Sequence, residues 1–152
     1  RRRGGGITAE ERDGGGAYVS VPAWHRSLQQ RRRLVAGRCP DCGTYTVPPE
    51  GACRGCGTLV EFEGVALAGT GTVEAKTEIG SGGAPPEFEA LQSKSGAFGV
   101  AIVAFDTPDD ETASSPAMVV GDAAVGDEVE TVQRKIYAQE GVTRYGFKIQ
   151  TT

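Results

Sequence analysis

The chain is 152 residues long (15.8 kDa), 38% hydrophobic and 24% charged, with a net charge of −4. That length suits one compact domain or two small ones and excludes a large multidomain enzyme. Charge is unevenly spread: residues 1–58 carry ten Lys and Arg against five Asp and Glu, residues 59–152 six against fifteen, so only the N-terminal part has the excess cations that phosphate backbones attract.

The longest apolar run, Ala97 to Phe105, falls far below the roughly 20 residues that cross a bilayer. The start, Arg1-Arg2-Arg3-Gly4-Gly5-Gly6, has no apolar stretch behind it, so no secretory signal is expected and a soluble, cytoplasmic chain is. The first segment, residues 1–17, holds two Gly triplets around a polar stretch and is expected to be a disordered tail. Residues 18–37 read as a helical segment: Ser20 caps, Pro22 suits a first turn, and Trp24, Leu28 and Val35 recur at near-helical spacing until Gly37. Arg31-Arg32-Arg33 then complements the helix dipole as a solvated face, or grips a phosphate-bearing ligand or an acidic partner.

Residues 38–58 contain every cysteine, as Cys39-Pro40-Asp41-Cys42-Gly43 and Cys53-Arg54-Gly55-Cys56-Gly57. A two-residue spacer with Gly behind the second Cys lets the backbone turn tightly enough for both thiolates to face one ion. Two such knuckles supply a tetrahedral S₄ site, which selects Zn²⁺, or iron in a rubredoxin-like centre. Paired disulfides suit a reducing compartment poorly, and a redox dithiol needs no second matching pair nearby. A zinc with four thiolates has no open position to activate water, so it is structural, standing in for a core that so short a ribbon cannot build.

Residues 59–152 read as β-structure forming a small closed β-barrel. Val65 and Leu67 alternate, as do Val73, Ala75, Thr77 and Ile79, with Gly64, Gly69 and Gly71 marking bulges or bends. Gly69-Thr70-Gly71-Thr72 lacks the Lys and the helix of a phosphate loop. Residues 80–96 are expected to be an irregular connection, and Phe98 to Phe105 the central strand, buried on both sides. An acidic loop from Asp106 to Pro116, a short strand Ala117 to Val120, a strand Glu128 to Tyr137, and a last strand alternating Tyr145, Phe147 and Ile149 complete the pattern. Five or six short strands with Gly-rich turns fit a closed barrel, because closure removes exposed edges.

The chemistry left over is sparse. With the thiols committed to metal, His25 is the sole imidazole, and it reads as a surface or packing residue. A Cys-His or Ser-His-Asp arrangement is therefore hard to assemble. The Asp109-Asp110-Glu111 run reads as a solvated loop tip rather than an acid/base pair.

A helix, a two-knuckle ribbon and a Gly-punctuated barrel, in that order, resemble the zinc-ribbon/OB-fold accessory proteins of thiolases and hydroxymethylglutaryl-CoA synthases. The resemblance covers roughly residues 18–150. Trp24, Leu34, the two knuckles, Val47-Pro48-Pro49 and Gly69-Thr70-Gly71-Thr72-Val73 carry it, with Val125-Gly126-Asp127-Glu128-Val129 and Arg144-Tyr145-Gly146-Phe147-Lys148 in the late strands. It implies a non-catalytic subunit docked on a thiolase-fold enzyme. In the archaeal type, to which the closing segment looks similar, such a subunit bridges an acetoacetyl-CoA thiolase and a hydroxymethylglutaryl-CoA synthase feeding the mevalonate pathway; relatives form two-subunit β-ketothiolases or serve steroid side-chain thiolysis. Arg31, Arg32, Arg33 and Arg38 are then candidates for CoA or partner contacts. Two other classes remain: a single-stranded nucleic-acid module, which needs a basic groove with stacking platforms that the acidic second half does not supply, and an enzyme in its own right.

Overall fold

The computed structural model describes residues 21–80, 82–139 and 141–152; the predicted tail, residues 1–17, lies outside them. Helix α1 runs Val21–Arg33 and strand β1 Val35–Arg38. The predicted helix to Gly37 is therefore too long. The break falls at Leu34, a non-glycine residue with φ 47° and 4% exposure. A left-handed residue costs about 1–2 kcal/mol, which burying the Leu34 side chain and pairing β1 offset. Gly37 does not end the helix; it lies inside β1, where an added Cβ would sit 2.5 Å from Pro49 Cβ and 2.6 Å from Phe62 Cβ.

Strands β2 (Tyr45–Thr46) and β3 (Glu63–Ala66) flank β1 in an antiparallel sheet of order β2-β1-β3. Val35 pairs with Ala66 and Arg38 with both Glu63 and Tyr45. The ribbon sheet thus draws on residues at both sides of the 38–58 segment.

The second sheet contains β4 (Thr70–Ile79), β5 (Phe98–Asp106), β6 (Thr112–Met118), β7 (Glu128–Gln139) and β8 (Val142–Thr151) in the order β6-β5-β4-β7-β8, with all four neighbouring pairs antiparallel. A parallel bridge between Val119 and Ile149 joins the two edges, making a nearly closed five-stranded barrel. The predicted barrel is present, but β4 rather than β5 is central. Strand β5 is not buried on both sides: Ala101, Val103 and Phe105 face the core while Ile102 is 38% exposed, because a barrel has only one interior face.

Two predicted loops contain regular structure. Within 80–96, a 3-10 turn Pro86–Phe88 leads into helix α2, Glu89–Ser95. Pro86 pre-sets the turn, and Phe88 anchors it against Phe98 and Tyr137, with ring centroids 5.8 and 5.7 Å apart. Strand β6 takes up the last five residues of the predicted acidic loop, 112–116, and ends at Met118, so no separate strand runs from Ala117 to Val120. Its inward residues, Ala113, Ser115 and Ala117, are small and buried; they pack well against β5 yet have little strand propensity of their own. On β8, Ile149 is fully buried whereas Tyr145 is 54% exposed, against the predicted inward alternation.

Ribbon and barrel share one core, in which Leu34, Ala36, Tyr45 and Val47 join Val73, Val103, Phe105, Val129 and Ile149. Trp24 holds α1 to the barrel, with the Arg144 guanidinium 4.7 Å over its ring.

Candidate metal centre

The two knuckles are built alike. Gly43 N–H donates to the Cys39 carbonyl and Gly57 N–H to the Cys53 carbonyl, both at 2.9 Å, and both glycines have positive φ, 78° and 74°. Cys39 N–H donates to the Thr44 carbonyl at 3.0 Å and Cys53 N–H to that of Thr58 at 2.9 Å. Each knuckle is therefore a tight loop whose turn only glycine makes without strain. Gly55 is needed for another reason: a Cβ there would run into the Thr44 side chain and come within 3.2 Å of Cys42 Sγ.

These turns gather the four Sγ atoms within 4.8 Å of one another, Cys39 and Cys53 buried and Cys42 and Cys56 exposed. Cys39 Sγ lies 3.8 Å from Cys56 Sγ, and Cys42 Sγ 3.5 Å from Cys53 Sγ. Disulfide sulfurs sit about 2.05 Å apart, while four thiolates about 2.3 Å from a tetrahedral zinc stand about 3.8 Å from each other. The donor set fits structural Zn²⁺. Electrostatics point the same way. Hydrogen bonds from the Thr44 hydroxyl and N–H hold the Cys42 thiol down to about 6, and Thr58 likewise lowers Cys56. The Cys42 N–H favours the Cys39 thiolate, yet burial and the thiols of Cys53 and Cys42 push Cys39 up to about 11. Thiolates this close repel one another, and a divalent cation is what allows all four to ionise together.

The arginines are dispersed. Arg32 and Arg33 are exposed in the last turn of α1, where the Arg32 carbonyl accepts a hydrogen bond from Gln133 Nε2 at 3.1 Å; Arg31 lies in the same turn, and its side chain is outside the described structure. Arg38 is engaged elsewhere, its Nε 3.2 Å from Asp109 Oδ2 and its Nη1 3.7 Å from Glu63. The buried Tyr45 donates its hydroxyl to the same Asp109 oxygen at 2.7 Å. The Tyr45 hydroxyl and the Arg38 guanidinium hold the Asp109 carboxyl below its usual value. This clamp ties the ribbon to the β5–β6 loop, and only the acidity of that loop hinted at it in the sequence. His25 is exposed. Among the described residues no helix is long and apolar enough to cross a membrane.

Residues 29–62 match the model of the ChsH2 rubredoxin-like zinc ribbon domain. The chain is 30% identical over 132 residues to a DUF35 domain-containing scaffold protein of Methanocaldococcus jannaschii, covering 86% of this chain and 89% of that one. Its fold is similar to that of a chain in the Ltp2-ChsH2(DUF35) aldolase, with a TM-score of 0.57 and 25% identity across 89% of this chain and 98% of the other. With the ribbon matched by its own family model and the likeness to a curated relative running through the barrel, the chain belongs to the DUF35 family.

Proposed function

We propose that this chain is a non-catalytic scaffold subunit that docks onto a thiolase-fold enzyme and supports acyl-CoA condensation, its zinc held by Cys39, Cys42, Cys53 and Cys56. The observation that carries this reading is the likeness, over 86% of the chain, to a protein described as a scaffold. The likeness to an aldolase named for both Ltp2 and a DUF35 chain supports the same kind of partnership. Side-chain chemistry agrees with it: zinc with four thiolates has no open position for substrate, and the sole imidazole, His25, is exposed.

In its finer form the subunit bridges an acetoacetyl-CoA thiolase and a hydroxymethylglutaryl-CoA synthase; pairing with a single partner as a two-subunit β-ketothiolase is the alternative. Arg31, Arg32 and Arg33 are the candidate contacts for CoA phosphates, whereas Arg38 has to exchange Asp109 for a phosphate before it can serve. Co-expression with both enzymes, affinity capture and native mass spectrometry test the assembly. A ternary complex supports bridging, capture of one enzyme selects the alternative, and recovery of the free monomer overturns the reading. In an assembled complex, Arg32→Glu with Arg33→Glu raises KM for the CoA thioester by about tenfold; an unchanged KM removes the arginines from the site.

A further inference from the structure

We propose that the slot between the ribbon and the barrel seam binds a medium-chain aliphatic carboxylate. The barrel's edge strands β6 and β8 are bridged at Val119 and Ile149, and the ribbon's Val47-Pro48 lies over the seam beside that bridge, leaving a cavity of about 400 Å³. Its walls are mainly apolar, with Val47, Pro48, Ala117, Met118, Ile136 and Phe147 among them. Junctions between substructures and mouths of barrels are where ligand pockets form, and this volume is within the usual range.

One lining residue carries a charge. Arg54 donates from Nη2 to the Val47 carbonyl at 2.8 Å, which steadies the guanidinium at the slot. None of the ion pairs among the described residues involves it. A guanidinium has five donors, so it keeps several for an incoming carboxylate while the chain lies along the apolar walls. A cation without an acid beside an apolar slot is complementary to an amphipathic anion. A peptide strand fits less well, because Pro116 offers no N–H on the β6 edge and the bridge holds the edges near neighbouring-strand spacing, roughly 4.8 Å. The larger hollow on the barrel, about 550 Å³, is edged by Asp122, Asp127 and Glu128 and repels such a ligand. Binding involves this chain alone and so does not depend on any partner enzyme.

Met118 is the sole methionine, so its labelled methyl group reports on the slot without assignment. Zinc-loaded chain is titrated with octanoate, decanoate and dodecanoate below their micelle thresholds. The expected result is a saturable one-to-one shift of that resonance, with affinity rising about fourfold per methylene, or about fifteenfold between successive acids. Decanol and decylamine bind at least about tenfold more weakly than decanoate, since neither matches the cation. Arg54→Gln abolishes this preference, and Ile136→Trp, which fills the slot, abolishes the shift, with zinc content and circular dichroism confirming that each variant folds. The comparison of head groups on the unaltered chain decides the role of the cation even where a variant misfolds. An unmoved Met118 resonance, equal binding of acid and amine, or tighter binding of a hydrophobic peptide than of decanoate overturns the proposal.

Discussion

Removing the zinc is expected to unfold the ribbon and leave a weakened barrel. The ribbon sheet consists of a two-residue strand and two four-residue strands, and Cys39 and Cys53, 0% and 2% exposed, fill much of its interior. Structural zinc contributes about 10–16 kcal/mol in isolated zinc-finger peptides, against about 5–15 kcal/mol for the net stability of a domain. Three such short strands cannot persist without it. Tyr45 and Val47 then leave the core that they share with the barrel. At about 1.5–3 kcal/mol for each large side chain withdrawn, the barrel loses about 3–6 kcal/mol. At about 4–8 °C per kcal/mol for a domain of this size, its melting midpoint falls by at least about 12 °C. Circular dichroism melts before and after chelation, with native mass spectrometry counting the metal, check this, and Cys39→Ala should reproduce the chelated state. Superposable melts, or an intact ribbon in chain shown to be free of metal, refute the reasoning.

Ile149→Ala, at the closing bridge, should cost about 2–5 kcal/mol in urea unfolding, and Ile102→Ala on the outward face of β5 less than about 1 kcal/mol; equal costs would contradict the barrel's single interior. Gly37→Ala should destabilise by about 1–3 kcal/mol through overpacking against Pro49 and Phe62 and lower zinc occupancy, whereas a neutral or stabilising result would refute the close packing at that position. Asp109 has a folded carboxyl pKa depressed below 3.8. Its contribution is therefore complete above that value and is lost as acidification passes through the depressed one. Asp109→Asn should lower the unfolding midpoint at neutral pH, and the gap to the unaltered chain should close as acidification protonates the carboxyl; a gap independent of pH would disprove the charged clamp.

The zinc cluster was legible in the sequence because a knuckle is a local device. Its ligands, its turn glycines and its spacing all lie within five residues, so Cys39 to Gly43 and Cys53 to Gly57 announce their own geometry. The barrel was legible as a class for a similar reason, since alternation and glycine punctuation are properties of short windows. What the sequence could not rank was competition between local preference and distant packing. Leu34 leaves the helix because the core holds its side chain. Ala113, Ser115 and Ala117 form a strand because β5 lies beside them, and Phe88 turns a glycine-rich connection into an anchored one. The Tyr45–Asp109 hydrogen bond spans 64 residues and the Val119–Ile149 closure 30. Such pairings acquire their energy only when the chain has folded far enough to exclude water from them, which no window of sequence records.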